Sequence, residues 1–258
     1  MEMPPVGLFR PVDYKSPIGE LGAYLTLTIK DGKKHPAIIW IHGGDCNSIG
    51  DVWTPASASN DQTAAQYRKA GLVMMYPSLR GGNENPGLRE GFYGEVDDIL
   101  AAAQYLATQP DVDPERIYLG GHSTGGTLVL LVAAAAPAKM FRGVISFGPV
   151  EDVEGYGPNN PYCPFDMSNP MELALRAPIR WNKDIQTPTY IIEGNRDGNI
   201  ESLRAMKSES KNANLHFFTA MNGTHFSILA PINKLIAEKI ASDSLESITE
   251  ADINGALR

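Results

Sequence analysis

Short runs of β-branched, aliphatic and aromatic residues recur at 23–29, 37–41, 72–76, 117–119, 143–147, 189–192 and 215–218. Residues 23–29 alternate, with Leu25, Leu27 and Ile29 on one side, and this predicts a half-exposed edge strand. Residues 37–41 and 72–76 are almost continuously apolar, as strands covered on both faces of a parallel sheet must be. Helical spacing fills the intervals. Residues 61–70 close at Gly71, and residues 126–136 are largely apolar and stop before Pro137. Between them, residues 95–107 put Ile99, Ala103 and Leu106 on one face and Asp97 and Asp98 in the first turn, where the helix dipole favours negative charge. Strand alternating with helix predicts the α/β class, with a mostly parallel central sheet flanked by helices. Toward the C-terminus, Ile232, Leu235, Ile236 and Ile240 follow Pro231 at helical spacing, and Ser247 with Glu250 forms a possible capping box for one more short helix.

Residues 151–184 break this rhythm. They are proline-rich and carry Tyr156, Tyr162, Phe165 and Trp181 without clear periodicity. An irregular stretch of that length inside a compact domain is usually functional, so it is expected to act as a lid or a substrate-contacting insertion. The four aromatic residues are its candidate substrate contacts, because they could wall an apolar pocket. Glu151, Asp152 and Glu154 in the same stretch could instead grip a substrate ammonium group.

The chain has 258 residues, which suits a single α/β domain spanning 1–258. Its 22 basic and 30 acidic residues give a net charge of -8, which opposes nucleic acid and anionic membrane surfaces. The longest strongly apolar run, 128–136, is about half of what spans a bilayer. Residues 1–10 do not read as a signal peptide, so as written the chain is expected to be cytoplasmic. Cys46 and Cys163 form no CxxC pair for zinc or redox chemistry. No phosphate loop, dinucleotide loop or HExxH helix occurs either, so neither a cofactor nor a metal is expected. The oligomeric state is not legible.

The sharpest chemical signal is Gly121-His122-Ser123-Thr124-Gly125, placed between the strand at 117–119 and the apolar helix. Gly-x-Ser-x-Gly in that context is a nucleophile elbow, a tight turn that lifts a serine above the sheet edge. A serine nucleophile needs a base, and the chain has five histidines. His35 precedes a strand, His42 belongs to a glycine motif, His122 lies inside the elbow and His216 lies within a strand. His225, in the loop after the last strand, is the candidate base. Two carboxylates compete to orient it. Asp197 is favoured, because it sits in a glycine-flanked turn just beyond the strand at 189–192, whereas Glu193 falls at the end of that strand. The order Ser123, Asp197, His225 is that of an α/β-hydrolase. His42-Gly43-Gly44 directly follows the strand at 37–41, so the N–H of Gly44, with Gly43 as a second candidate, is expected to form an oxyanion hole with the N–H of Thr124.

These motifs are similar to those of the prolyl oligopeptidase-like α/β-hydrolases: Ile-His-Gly-Gly at 41–44, Tyr-Pro-Ser-Leu-Arg-Gly-Gly at 76–82, Gly-Gly-His-Ser-Thr-Gly-Gly at 120–126, and Ala-Pro-Ile at 177–179. The Asp197 and His225 loops follow in the same order, and the resemblance runs from about residue 20 to 240. It implies the α/β-hydrolase fold and acyl-transfer hydrolysis by a serine triad without a cofactor. Two departures bear on substrate. Peptidases of that family usually carry an N-terminal β-propeller, whereas only some twenty residues precede the first strand here, and Thr124 stands where they commonly have tyrosine. The expected function is therefore hydrolysis of small carboxylic esters through an acyl-enzyme. An exopeptidase or acyl-peptide hydrolase acting on short peptides is the alternative, and a non-catalytic hydrolase-fold binding protein is a third reading.

Overall fold

The computed structural model describes residues 1–157 and 160–258. In chain order the elements are β1 (Phe9–Ser16), β2 (Gly19–Thr26), β3 (His35–Ile41), α1 (Gln66–Lys69), β4 (Val73–Pro77), α2 (Glu95–Ala107), β5 (Val112–His122), α3 (Thr124–Ala135) and β6 (Gly143–Phe147). They continue with α4 (Pro170–Leu175), α5 (Pro178–Trp181), β7 (Thr189–Gly194), α6 (Ile200–Glu209), β8 (Leu215–Ala220), α7 (Leu229–Ala241) and α8 (Glu250–Ala256). The strands form one 8-stranded sheet in the order β1-β2-β4-β3-β5-β6-β7-β8. β1 and β2 run antiparallel to their neighbours, and β4, β3, β5, β6, β7 and β8 are mutually parallel.

The central strands are continuously apolar because both faces are covered. One face packs on α2 and α3 through Ile39, Ile99, Leu119, Leu128 and Val132. The other packs on α1, α7 and α8 through Trp40, Tyr67, Phe147, Ile232 and Ile253. Helix α3 has hardly any polar side chain because it lies between the sheet and the remainder of the chain, and every residue from Thr124 to Ala133 is buried.

Strand order reverses at β3. The chain leaves β3 toward β4 and returns through α2 to β5 on the other side, so the crevice at the C-terminal ends of β3 and β5 is a topological switch point, where open α/β sheets bind ligands. The glycine motif at 42–44 and the elbow at 121–125 both emerge there.

Several sequence expectations need correction. The stretch 23–29 is not an edge strand: β2 ends at Thr26 and pairs on both sides, while β1, whose alternating pattern Pro11 and the interspersed charges conceal, forms the edge. Helix 61–70 shrinks to α1, since Asp61 and Thr63 turn the preceding chain with their own side chains. The terminal capping box is made by Thr249 and Asp252 rather than Ser247 and Glu250. The segment 151–184, apart from residues 158 and 159, which lie outside the described residues, holds two short helices, α4 and α5, and two 3-10 turns. Cys46 and Cys163 are free and buried. Among the described residues no helix is long and apolar enough to cross a membrane.

Candidate active site

Ser123 is the single residue between β5 and α3, and its φ of 55° and ψ of -116° make it one of the few non-glycine residues with positive φ. Such a backbone is held only where its surroundings over-determine it. Here Ser123 N–H donates to the Phe147 carbonyl at 2.8 Å, and Thr127 N–H donates to the Ser123 carbonyl at 2.8 Å. Close packing supplies the rest: a Cβ on Gly125 would lie 2.2 Å from the Ile41 carbonyl oxygen, so α3 can start this near β3 only with glycine there.

The end of β3 runs into the candidate oxyanion loop. Gly44 turns with φ 77°, and its carbonyl accepts from the Thr124 hydroxyl at 2.8 Å, which ties loop and elbow together. Among the described residues the N–H groups of Gly44 and Thr124 have no acceptor. Gly43 is different. Its N–H donates to Gln62 Oε1 at 3.1 Å, so the expectation that it shares in the oxyanion hole is corrected.

His225 lies in the loop between β8 and α7, and its Nδ1 meets Glu193 Oε2 at 2.8 Å. Glu193 has no solvent exposure, and it also accepts from the N–H of Asn199 at 3.1 Å and of Gly194 at 2.6 Å. These three donors compensate a carboxylate that burial would otherwise disfavour. The assignment of Asp197 to the imidazole is therefore corrected. Asp197 is exposed, and its Oδ1 accepts from the backbone N–H of His225 at 2.5 Å, so it fixes the loop and not the ring. The physical reason is reach: β7 runs to Gly194, its penultimate residue turns inward beneath the His225 loop, and Asp197 has already left the sheet edge. Among the described residues neither Ser123 Oγ nor His225 Nε2 has a hydrogen-bond partner. Both are open to a ligand, and nucleophile–base bonds commonly form or tighten only once substrate is bound.

Two further residues border the candidate base. The His122 ring lies 4.4 Å from that of His225, centroid to centroid, and its Nε2 is 3.1 Å from the His225 carbonyl. Burial, reinforced by His225 nearby, pushes the His122 pKa down to about 3. Gln62 contacts both His122 and the oxyanion loop. Nothing in its local sequence marked it, because it enters from an irregular turn.

The four candidate substrate aromatics separate. Tyr162 comes nearest the oxyanion loop: its hydroxyl is 3.6 Å from where a Gly44 Cβ would stand. Tyr156 stacks on Phe92 and bonds Thr127 Oγ1 at 2.6 Å, anchoring the insertion to α3. Phe165 lies under the Arg176 guanidinium at 4.0 Å. Trp181 donates to the Ala174 carbonyl and lines a cavity of about 510 Å³ with Phe92, Tyr93, Val96 and Leu131.

Residues 58–235, most of the chain, match the sequence model of the Prolyl oligopeptidase family. The chain belongs to that family. It is 27% identical over 190 residues to the dual function macrocyclase-peptidase of Galerina marginata, covering 66% of this chain and 25% of that protein. The chain thus spans about a quarter of the length of that relative. The fold is similar to that of Pyrococcus horikoshii acylaminoacyl peptidase, with TM-score 0.69 and 18% identity over 98% of this chain and 45% of the other. It is also similar to that of Pyrobaculum calidifontis esterase, with TM-score 0.64 and 18% identity over 93% of this chain and 87% of the other. The 8-stranded, mostly parallel sheet flanked by helices is the α/β-hydrolase fold of that family.

Proposed function

We propose that the chain hydrolyses small carboxylic esters through an acyl-enzyme, with Ser123 as nucleophile, His225 as general base and then acid, and Glu193 orienting the imidazole. The observation that carries this reading is the 2.8 Å contact of buried Glu193 with His225 Nδ1 at the same sheet edge as the strained Ser123 turn. Ser123 Oγ bonds to the carbonyl carbon as its proton passes to His225 Nε2, and the N–H groups of Gly44 and Thr124 take the oxyanion. Collapse breaks the bond to the alkoxy group, which leaves with the proton from Nε2. Water then repeats the sequence on the acyl-enzyme, giving the carboxylic acid and regenerating Ser123.

Amide cleavage makes a further demand, since an exopeptidase must also anchor a charged peptide end. Asp45, next to Gly44, is paired with Arg89 at 2.7 Å and is thereby committed. An ester needs little beyond triad and oxyanion hole. A second reading, an exopeptidase or acyl-peptide hydrolase, is favoured by Glu151 and Glu154, whose carboxylates have no ion-pair partner among the described residues and stand on the segment that follows β6. In either case the segment 151–184 is the substrate-contacting insertion, with Tyr162 the residue that reaches the oxyanion loop.

A panel of short-chain p-nitrophenyl esters against aminoacyl and peptidyl anilides tests the choice. We expect kcat/KM for the best ester to exceed that for any anilide by at least about tenfold, or 1.4 kcal/mol. Equal or faster anilide turnover would establish the peptidase instead.

A further inference from the structure

We infer that Gln62 and His122 are positioning residues for the hydrolytic reaction, forming a relay that decides which amide of the oxyanion loop faces the substrate and pins the loop of the base. The inference rests on the triad reading above and adds two residues that do not touch the reacting atoms.

The relay follows from satisfying each polar atom in turn. Gly43 N–H can only donate, so Gln62 presents its Oε1 to it at 3.1 Å. That orientation leaves the amide nitrogen to donate twice, to Asn60 Oδ1 at 3.1 Å and to His122 Nδ1 at 2.8 Å. His122 Nδ1 also lies 3.1 Å from Gln62 Oε1, but His122 Nε2 faces the His225 carbonyl, which can only accept, at 3.1 Å, so a neutral His122 carries its proton on Nε2 and its Nδ1 accepts from the Gln62 amide nitrogen. The backbone carbonyl of Gln62 is itself fixed by the buried Trp40 indole N–H at 3.0 Å. One side chain anchored to β3 therefore links the oxyanion loop, the elbow and the base's backbone through consecutive hydrogen bonds.

Two consequences follow. Gly43 N–H is held away from the site, so the peptide unit turns and Gly44 N–H is left free beside that of Thr124. His122 also remains uncharged while its ring packs 4.4 Å from that of His225, so the cation that His225 becomes during turnover meets a neutral neighbour.

Replacing Gln62 with Met preserves bulk and removes both ends of the relay. We expect kcat on a p-nitrophenyl ester to fall by roughly 10- to 100-fold, one to two hydrogen bonds' worth, with KM within about threefold. Gln62→Glu keeps the acceptor for Gly43 but sets a carboxylate against His122 Nδ1, so His122 should take a second proton there, visible in ¹⁵N histidine spectra at pH 7. In the unsubstituted protein the same spectra should show one tautomer, protonated at Nε2, unchanged from pH 5 to 8. A Gln62→Met protein with undiminished kcat, or a His122 protonated at Nδ1 in the unsubstituted protein, would overturn the relay. These outcomes are separable from failure of the triad reading, in which the unsubstituted protein itself would turn over neither ester nor anilide while its His122 spectra remained as expected.

Discussion

At the scale of single residues the decisive feature is the division of labour between Glu193 and Asp197. Both are carboxylates within one short stretch, yet one holds the imidazole ring and the other the backbone of the same histidine. Loss of charge at Glu193 leaves the ring free to adopt the wrong tautomer, so Glu193→Gln should lower kcat by roughly 10⁴, whereas Asp197→Asn, whose amide oxygen can still accept from the backbone, should cost about tenfold or less. Steady-state kinetics on the two variants gives the ranking, and the reverse ranking would return the role to Asp197. His122 makes a separate prediction about stability. Burial lowers its pKa to about 3 in the folded protein, below the roughly 6.5 expected when unfolded, so the unfolded chain binds the proton first. Its contribution is complete above pH 6.5 and is lost as pH falls toward 3, amounting to roughly 2 kcal/mol by pH 5. Urea midpoints measured from pH 7 to 5 should therefore decline less steeply for His122→Gln than for the unsubstituted protein. Parallel declines would contradict the buried neutral imidazole.

At the scale of elements, the insertion between β6 and β7 is fastened at a few points. Arg176 is buried, donates to the carbonyls of Glu90 and Gly91, pairs with Glu172 at 2.5 Å and lies between the rings of Phe165 and Tyr93. Arg176→Met would leave those carbonyls unpaired, at about 1–3 kcal/mol, a cost borne by the insertion while the sheet is untouched. Limited proteolysis between residues 160 and 176 should then run at least about tenfold faster than in the unsubstituted protein; equal rates would mean that other contacts hold the segment.

The same contrast explains what the sequence reveals at this scale. Strands covered on both faces, such as β3 and β4, and helices with a steady period, such as α2, declare themselves because one physical demand repeats along them. β1 does not, since charged residues and Pro11 mask its alternation, and α4 and α5 are too short for a period. The placement of Ser123, His225 and Gly44 at one sheet edge is legible because elbow, loop order and post-strand glycines leave local signatures. Glu193 and Gln62 are not: their placement depends on which side of a strand end faces a loop that returns about 30 residues later, and on a turn whose amide meets partners at the ends of two strands, β3 and β5.

At the scale of the whole molecule, the sheet order brings these groups together. Reversal at β3 opens the crevice, and Gly44 after β3, Ser123 after β5, Glu193 on β7 and His225 after β8 all stand at C-terminal strand ends. The two apolar layers on either side hold those ends in register, so the candidate site is built on packed elements. This edge is expected to activate Ser123. Peptide mass spectrometry after treatment with a fluorophosphonate probe tests it directly. A single stoichiometric adduct is expected on the peptide containing Ser123, absent in Ser123→Ala and formed far more slowly in Glu193→Gln. An unmodified Ser123 under conditions that label other serine hydrolases, or an adduct on a different residue, would contradict it.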